Sequence, residues 1–563
     1  MKISIFIVVA LLIYNFSFSQ NKISENNKIE SLIQVWGLLK YKHPSVSEGK
    51  VDFDKEFIHE FNKIKSIDTQ IKFNSELSNW IKGFNSKKEK IKIKSRKSSR
   101  LFTKNDDYSW ITNSNFHPEL IRQLNQLKNN TNYGKHYGFV NKMSSSVDFN
   151  YDKEFIEFDA KKESHRFLFL ASFWNKMRYW NVNIYLTDKP WNKVLENIIP
   201  DFLNDDKIKY ELAKDKLFAG LNDSHSNYSS GKFYNIKNRK YSLYGGRIVN
   251  DTLVIKTLFN KELANSEGIE IGDLIYSING KKISEYYTGK FSKSVSVSNK
   301  NYLKSVVERA NLLSSDDSLS SLKIGLVKKN DTKKEQQIKL YKFTNKNYKP
   351  ISLTDTLASV KWRKIRNNVG YINLKTIDKP ELKKAFKAFK NTTGIVIDLR
   401  NYPRNLNATD LPYFLYPKKK VFMKILTSFA PGIGKYDTQS ALKIIKNPFA
   451  AGRNNKNYYK GKVVLLVDRI TGSMAEYFAM AIQNSPNCIT IGEQTFGAVM
   501  NRNQVILKDK TTIDYTGVGA FYPNDKNVQR KGIQLDVTIK EKAKNYSPYQ
   551  YIDEAIKIIQ KKE

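Results

Sequence analysis

Cysteine occurs once in the 563 residues, at Cys488, which excludes a disulfide framework and any cysteine-based zinc cluster. Histidine is almost as scarce: the six (His43, His59, His117, His136, His165 and His225) never form the H-E-x-x-H helix of a zinc peptidase. Neither G-x-x-x-x-G-K-S/T nor G-x-G-x-x-G occurs, so the loops that cradle nucleotide phosphates are missing. Acidic residues are outnumbered, 55 against 95 Lys and Arg, for a net charge of +40. That excess is mostly lysine spread along the chain, which reads as a compositional bias; an arginine-rich groove for nucleic acid is not evident, and no nucleic-acid partner is expected. Long apolar runs are confined to the start. Ile3 to about Phe16 follows Lys2, and Ser17 and Ser19 fit a small-residue cleavage site after Ser19. The run is short for a membrane span. The expectation is an exported chain, periplasmic, in the envelope or secreted, with no membrane span after cleavage; an uncleaved N-terminal anchor is the alternative.

What is present is globular, with 40% hydrophobic and 13% aromatic residues. At roughly 100–200 residues per domain the length suggests about three to five domains. After the leader (1–19), residues 20–165 read as a helical region, with Ile29, Leu32, Ile33, Trp36 and Leu39 on one face. Ser86–Arg100 is a Lys/Ser-rich loop or exposed edge. Residues 166–239 are helical again, with Phe167 to Met177 on one helix and Trp191 to Ile199 on the next. The two regions form a weak internal repeat: Val35-Trp36 to Tyr41, then Phe53, against Phe173-Trp174 to Tyr179, then Trp191. Two unrelated helical hairpins would read the same way.

Residues 240–343 turn to short strands around Gly272-Asp273 and the hairpin signal Asn279-Gly280, with a helix over Tyr302–Leu313. From 344 to 563 strand and helix alternate. The strands Gly394–Leu399 and Val463–Val467 are continuously apolar, as when both faces are covered, so this is a βαβ-type layered domain. The fold class is multidomain α+β.

The chemistry centres on a strand–turn–helix at Val463 to Glu476, where Ser473 falls at the junction. A hydroxyl there is exposed at the sheet edge, and the following amides favour an oxyanion. Ser473 can equally be an N-cap, with Glu476 closing a capping box. A serine nucleophile needs a base, and no histidine follows residue 225. Leu221-Asn222-Asp223-Ser224-His225 supplies one at the end of an apolar helical stretch.

These residues resemble the S41 serine peptidases, the tail-specific processing proteases, and within them the tricorn-core-like branch. The resemblance rests on Leu221–His225; on Gly268–Asp273 with Ile278–Gly280, similar to a PDZ domain; on Gly394–Asn401; on Thr471–Glu476; and on Ile491–Gly497. It implies a PDZ-like unit at 240–343 and a layered core of the ClpP/crotonase kind at 344–563. It also implies Ser473 as nucleophile, His225 as base and Ser224 as the residue that helps orient it. The lysine base of the processing branch is replaced by Ala498, and the late glutamate of the tricorn-like tetrad by Gln529. Backbone amides of Met474 and Arg404 are the implied oxyanion donors. Arg404 stands in Asn401-Tyr402-Pro403-Arg404-Asn405, where the family has Asn-Pro-Gly-Gly, and Pro403 has no amide hydrogen. Glu476, Gln529 and Glu493 are implied supports of the site. No metal or cofactor is implied, and the partners are protein or peptide substrates. A catalytically weak peptide-binding scaffold of the envelope is the alternative. The oligomeric state and the cleavage preference are not legible.

Overall fold

A computed structural model describes residues 22–84, 101–130, 134–141, 146–149, 151–226, 239–315, 319–342, 349–353, 355–428, 436–439 and 449–561. The leader and the stretch Ser86–Arg100 lie outside them.

The N-terminal half is built on helices α1 (Glu25–Lys42), α2 (Phe53–Lys65), α3 (Gln70–Gly83), α4 (Pro118–Asn129), α5 (Glu163–Trp180), α6 (Trp191–Phe202) and α7 (Lys207–Ala219). Ser24 caps α1 by accepting from the Asn27 amide at 3.2 Å, and Asp52 caps α2 in the same way. The internal repeat is visible in the bonding. The Trp36 indole donates to the Phe53 carbonyl at 2.9 Å, and the Trp174 indole donates to the Trp191 carbonyl at 3.0 Å, each across a sequence separation of 17. The repeat-related helices α1 and α5 cross at equivalent residues. A Cβ on Gly37 would lie 1.8 Å from the Asn175 side chain, so glycine permits the approach. One turn on, the rings of Tyr41 and Tyr179 meet at 5.0 Å. These contacts join both helical regions in one apolar core. Contrary to expectation, the described residues between 130 and 162 are not helical: Phe139–Val140 pairs with Val147–Asp148 as two short strands.

Residues 240–340 form a sheet of β1 (Tyr244–Val249), β2 (Thr252–Leu258), β3 (Leu274–Ile278), β4 (Ser321–Val327) and β5 (Lys333–Lys339), with α8 (Ile283–Phe291) and α9 (Lys300–Arg309). Asn279 and Gly280 both take positive φ in the turn after β3, as a primed hairpin turn requires. The second helix stops at Arg309, short of the expected Leu313, because the chain turns at Asn311 with φ 55°. β1 is an edge strand: one side pairs with β2 and α9 lies near it.

The C-terminal core is a six-stranded sheet in the order β6-β7-β8-β9-β10-β13. Its members are β6 (Trp362–Ile365), β7 (Val369–Asn373), β8 (Gly394–Asp398), β9 (Lys462–Val467), β10 (Cys488–Gly492) and β13 (Val537–Thr538). Only the β6–β7 pair is antiparallel. Helices α10 (Lys379–Ala388) and α11 (Met474–Ile482) pack with one face, and α12 (Gln550–Gln560) with the other. β7, β8 and the Val463–Val467 run are buried throughout, which explains their unbroken apolar sequence. Cys488 is half-buried at the start of β10, and burial pushes its thiol up to about 12.

A hairpin of β11 (Arg502–Ile506) and β12 (Thr512–Thr516) leaves this core and enters the helical half. Val505, Leu507, Ile513 and Tyr515 belong to the helical core. At its tip, buried Lys508 pairs with Asp54 at 2.5 Å and Asp152 at 2.7 Å.

Candidate active site

The site forms at the C-terminal ends of β8 and β9. After β9 the turn is closed by Thr471, whose amide donates to the Asp468 carbonyl at 3.0 Å and whose hydroxyl donates to the Leu399 carbonyl at 3.0 Å. Gly472 is obligatory here, because an added Cβ would sit 2.4 Å from the Phe496 side chain. Ser473 follows with φ 53° and ψ −117°, a conformation that costs a non-glycine residue about 1–3 kcal/mol and persists only where its surroundings enforce it.

The N-cap reading can be tested directly. The Ser473 hydroxyl caps no amide of α11; it donates to the Met500 carbonyl at 3.3 Å. Glu476 accepts from the Thr495 hydroxyl at 2.5 Å and from the amides of Gly497 at 2.8 Å and Ala498 at 3.1 Å. Burial pushes its carboxyl up to about 7 against those bonds. Glu476 therefore grips the segment 495–498, and the Ala498 carbonyl takes the Ser473 amide at 3.0 Å.

His225 reaches the same segment from the other side. Its ring meets the Phe496 ring edge-on at 5.3 Å. Asp223 Oδ1 accepts from the His225 amide at 3.0 Å, so the aspartate folds the loop around the histidine. His225 is buried, and its Nδ1 lies 2.9 Å from the Thr516 hydroxyl at the base of the hairpin. Its Nε2 has no hydrogen-bond partner among the described residues. Burial, with the Arg502 charge adding and Asp223 opposing, pushes the imidazole down to about 4. The ring is thus neutral near pH 7, the state a general base requires.

The other expected residues fall as follows. The Ser224 hydroxyl donates to the Phe496 carbonyl at 3.0 Å and accepts from the Ser298 amide at 2.9 Å. It braces the loop, and the hydrogen-bonding contact to the His225 ring is made by Thr516. Gln529 is buried beside that pair, its Nε2 3.2 Å from the Thr516 hydroxyl and its Oε1 3.4 Å from the Val499 amide. Met474 opens α11 and is exposed, as is Arg404 in the segment after β8. Glu493 pairs with Arg247 at 2.5 Å and Arg469 at 3.0 Å. Asp223 has a role that the motif Leu221–His225 does not reveal by itself; its only sequence signal is an Asx-turn spacing two residues before His225. Thr516, 291 residues from His225, gave none.

Residues 420–539 match the model of peptidase family S41. A probable CtpA-like serine protease of Staphylococcus haemolyticus is 28% identical over 190 residues, which is 32% of this chain and 35% of that protein. The chain thus aligns with about a third of that curated relative's length. The crystal structure of mature CPAF superposes with a TM-score of 0.52 over 69% of this chain and 95% of that one, at 12% identity. Mature CPAF complexed with lactacystin gives the same score over 96% of its own chain, again covering 69% of this one at 12% identity. At that identity the likeness is one of fold. Residues 420–539 of the C-terminal core thus resemble peptidase family S41, a class of serine-type peptidases.

Proposed function

We propose that the chain is an exported serine endopeptidase working through an acyl-enzyme, with Ser473 as nucleophile and His225 as general base. The observation that carries this is that a strained, uncapped Ser473 and a neutral His225 whose Nε2 is unengaged each contact the one segment 496–500. In the reaction, Nε2 takes the hydroxyl proton as Oγ bonds to the substrate carbonyl carbon. The same proton then goes to the leaving amine as the C–N bond breaks. Water repeats the sequence and releases the acid. The amides of Met474 and Arg404 are our candidates for the oxyanion site. The outer edge of β1 at Tyr244–Gly246, where Tyr244 is buried and the two glycines are half-buried, is our candidate for holding an extended peptide. Further along that strand, Ile248 is already engaged: Glu308 accepts its amide at 2.5 Å and Arg469 donates to its carbonyl at 3.0 Å.

A fluorophosphonate probe tests the reading. Wild-type protein is expected to label, while Ser473→Ala and His225→Ala give no covalent adduct; a folded wild type that fails to label overturns it. Protonated Nε2 is not a base, so the labelling rate should hold down to about pH 5 and halve near pH 4. An acid limb near 6.5 would contradict the buried imidazole with its unengaged Nε2. Export is checked by intact mass of the mature chain, expected to begin at Gln20.

A further inference from the structure

We propose that Asp223 supplies the acid of this site and acts on His225 through the Thr516 hydroxyl, making both positioning residues for the base. The inference rests on the reading of His225 as base.

The proton count carries it. Thr516 has one hydroxyl hydrogen and three neighbours: Asp223 Oδ1 at 2.7 Å, His225 Nδ1 at 2.9 Å and Gln529 Nε2 at 3.2 Å. Asp223 is buried, and its carboxylate also accepts the Thr516 amide at 2.6 Å and the His225 amide at 3.0 Å. An ionised carboxylate only accepts, so the Thr516 hydrogen points to Oδ1. Were it pointed at Nδ1 instead, two oxygen lone pairs would face each other at 2.7 Å with no proton between them. The Thr516 oxygen is then an acceptor towards the ring, and Nδ1 must carry the hydrogen. That fixes the tautomer whose Nε2 holds a lone pair, the atom left without a partner.

Gln529 completes the count. Its Nε2 donates towards the Thr516 hydroxyl and, at 3.4 Å, to Asp223 Oδ1, while its Oε1 accepts the Val499 amide. A glutamate at this position would set a second carboxylate against Asp223 and carry no donor for either oxygen. The glutamine is thus matched to an acid placed at 223. The carrier is the hairpin: β12 ends on Thr516, and its far tip is anchored by Lys508 in the helical half.

The test uses the full chain and the fluorophosphonate probe. Thr516→Val keeps shape and removes the hydroxyl; the labelling rate should fall about 100-fold, and Thr516→Ser should recover to within about tenfold. In parallel, ¹⁵N-labelled histidine should report Nδ1–H for His225 in the wild type and a shift towards the Nε2–H form in Thr516→Val. Asp223→Asn should lose rate to at least the same extent as Thr516→Val. If His225→Ala labels like wild type, the base assignment fails. If His225→Ala is dead but Thr516→Val labels at the wild-type rate with an unchanged tautomer, the base stands and the relay is wrong.

Discussion

At the tip of the β11–β12 hairpin, three buried lysines share two aspartates; beside the turn that carries Ser473, two arginines share three glutamates. In the first cluster Lys508, Lys40 and Lys176 lie 2.7, 2.9 and 3.3 Å from Asp152, with Lys508 and Lys40 also reaching Asp54. In the second, Arg469 reaches Glu308 and Glu493 at 3.0 Å and Glu541 at 3.4 Å, and Arg247 pairs with Glu493 and Glu541. The surplus charge has opposite sign in the two, and the relief differs. A lysine can give up its proton. Burial, abetted by Lys508 and Lys40 and opposed by Asp152, pushes Lys176 down to about 7. Arginine keeps its proton, so part of the carboxyl set yields: burial raises Glu308 against the pull of Arg469 and Arg247, and Asp468 beside Arg247 rises to about 6, whereas against burial the two arginines hold Glu493 below its ordinary value. The lysine cluster joins the hairpin to the helical half. The arginine cluster joins the 240–340 sheet to the turn that carries Ser473.

The sharpest way to break the comparison is to remove the hub of each cluster. Burial works to raise the Asp152 carboxyl, but Lys176, Lys40 and Lys508 together hold it well below the usual range. Asp152→Asn leaves three lysines around one carboxylate, and a loss of about 3–5 kcal/mol in denaturant unfolding is expected. A loss under about 1 kcal/mol would show that the lysines simply deprotonate and the cluster carries no net attraction. Arg469→Met should cost less, about 2–3 kcal/mol, because Arg247 remains and the freed carboxyls can take up protons. It should also slow probe labelling, since Arg469 lies in the turn before Ser473. Equal losses in the two variants would erase the distinction between lysine and arginine hubs.

Which parts of this were readable beforehand follows from range in sequence. Ser473 was legible because strand, turn and helix are contiguous, and the Trp36/Trp174 repeat because each indole bonds a carbonyl within its own helical pair. His225 emerged from the shortage of alternatives. The roles of Thr516 and Lys508 were hidden because each depends on where a hairpin tip and base land in another region. Lys40 and Lys176 are fully buried, and nothing in the sequence sets them apart from the other lysines. Charge counts carry no information on pairing, so the +40 excess conceals structural lysines. The helix expected to reach Leu313 ended early because apolar periodicity continued past a turn set by Asn311.

Smaller effects sharpen the comparison through pH. Lys176 is lowered in the folded chain, so between about pH 7 and 10 the unfolded state binds more protons, and stability rises with pH at up to about 1.4 kcal/mol per unit. Lys176→Met removes that slope. The wild type should gain about 2 kcal/mol on the variant between pH 7 and 9, read from urea midpoints.

Asp468 gives the opposite sign. Its folded pKa is raised to about 6 from 3.8, so between those values the folded state binds more protons and stability falls as pH rises, with the cost complete above pH 6. Asp468→Asn keeps an oxygen for the Ile470 amide, which the aspartate accepts at 3.0 Å, and removes the ionisation. Its stability relative to wild type should improve by about 2 kcal/mol between pH 4.5 and 6.5. A relative change in the other direction would mean that Arg247 and Arg400 outweigh burial and keep this carboxylate charged, leaving Glu308 as the arginine cluster's proton acceptor.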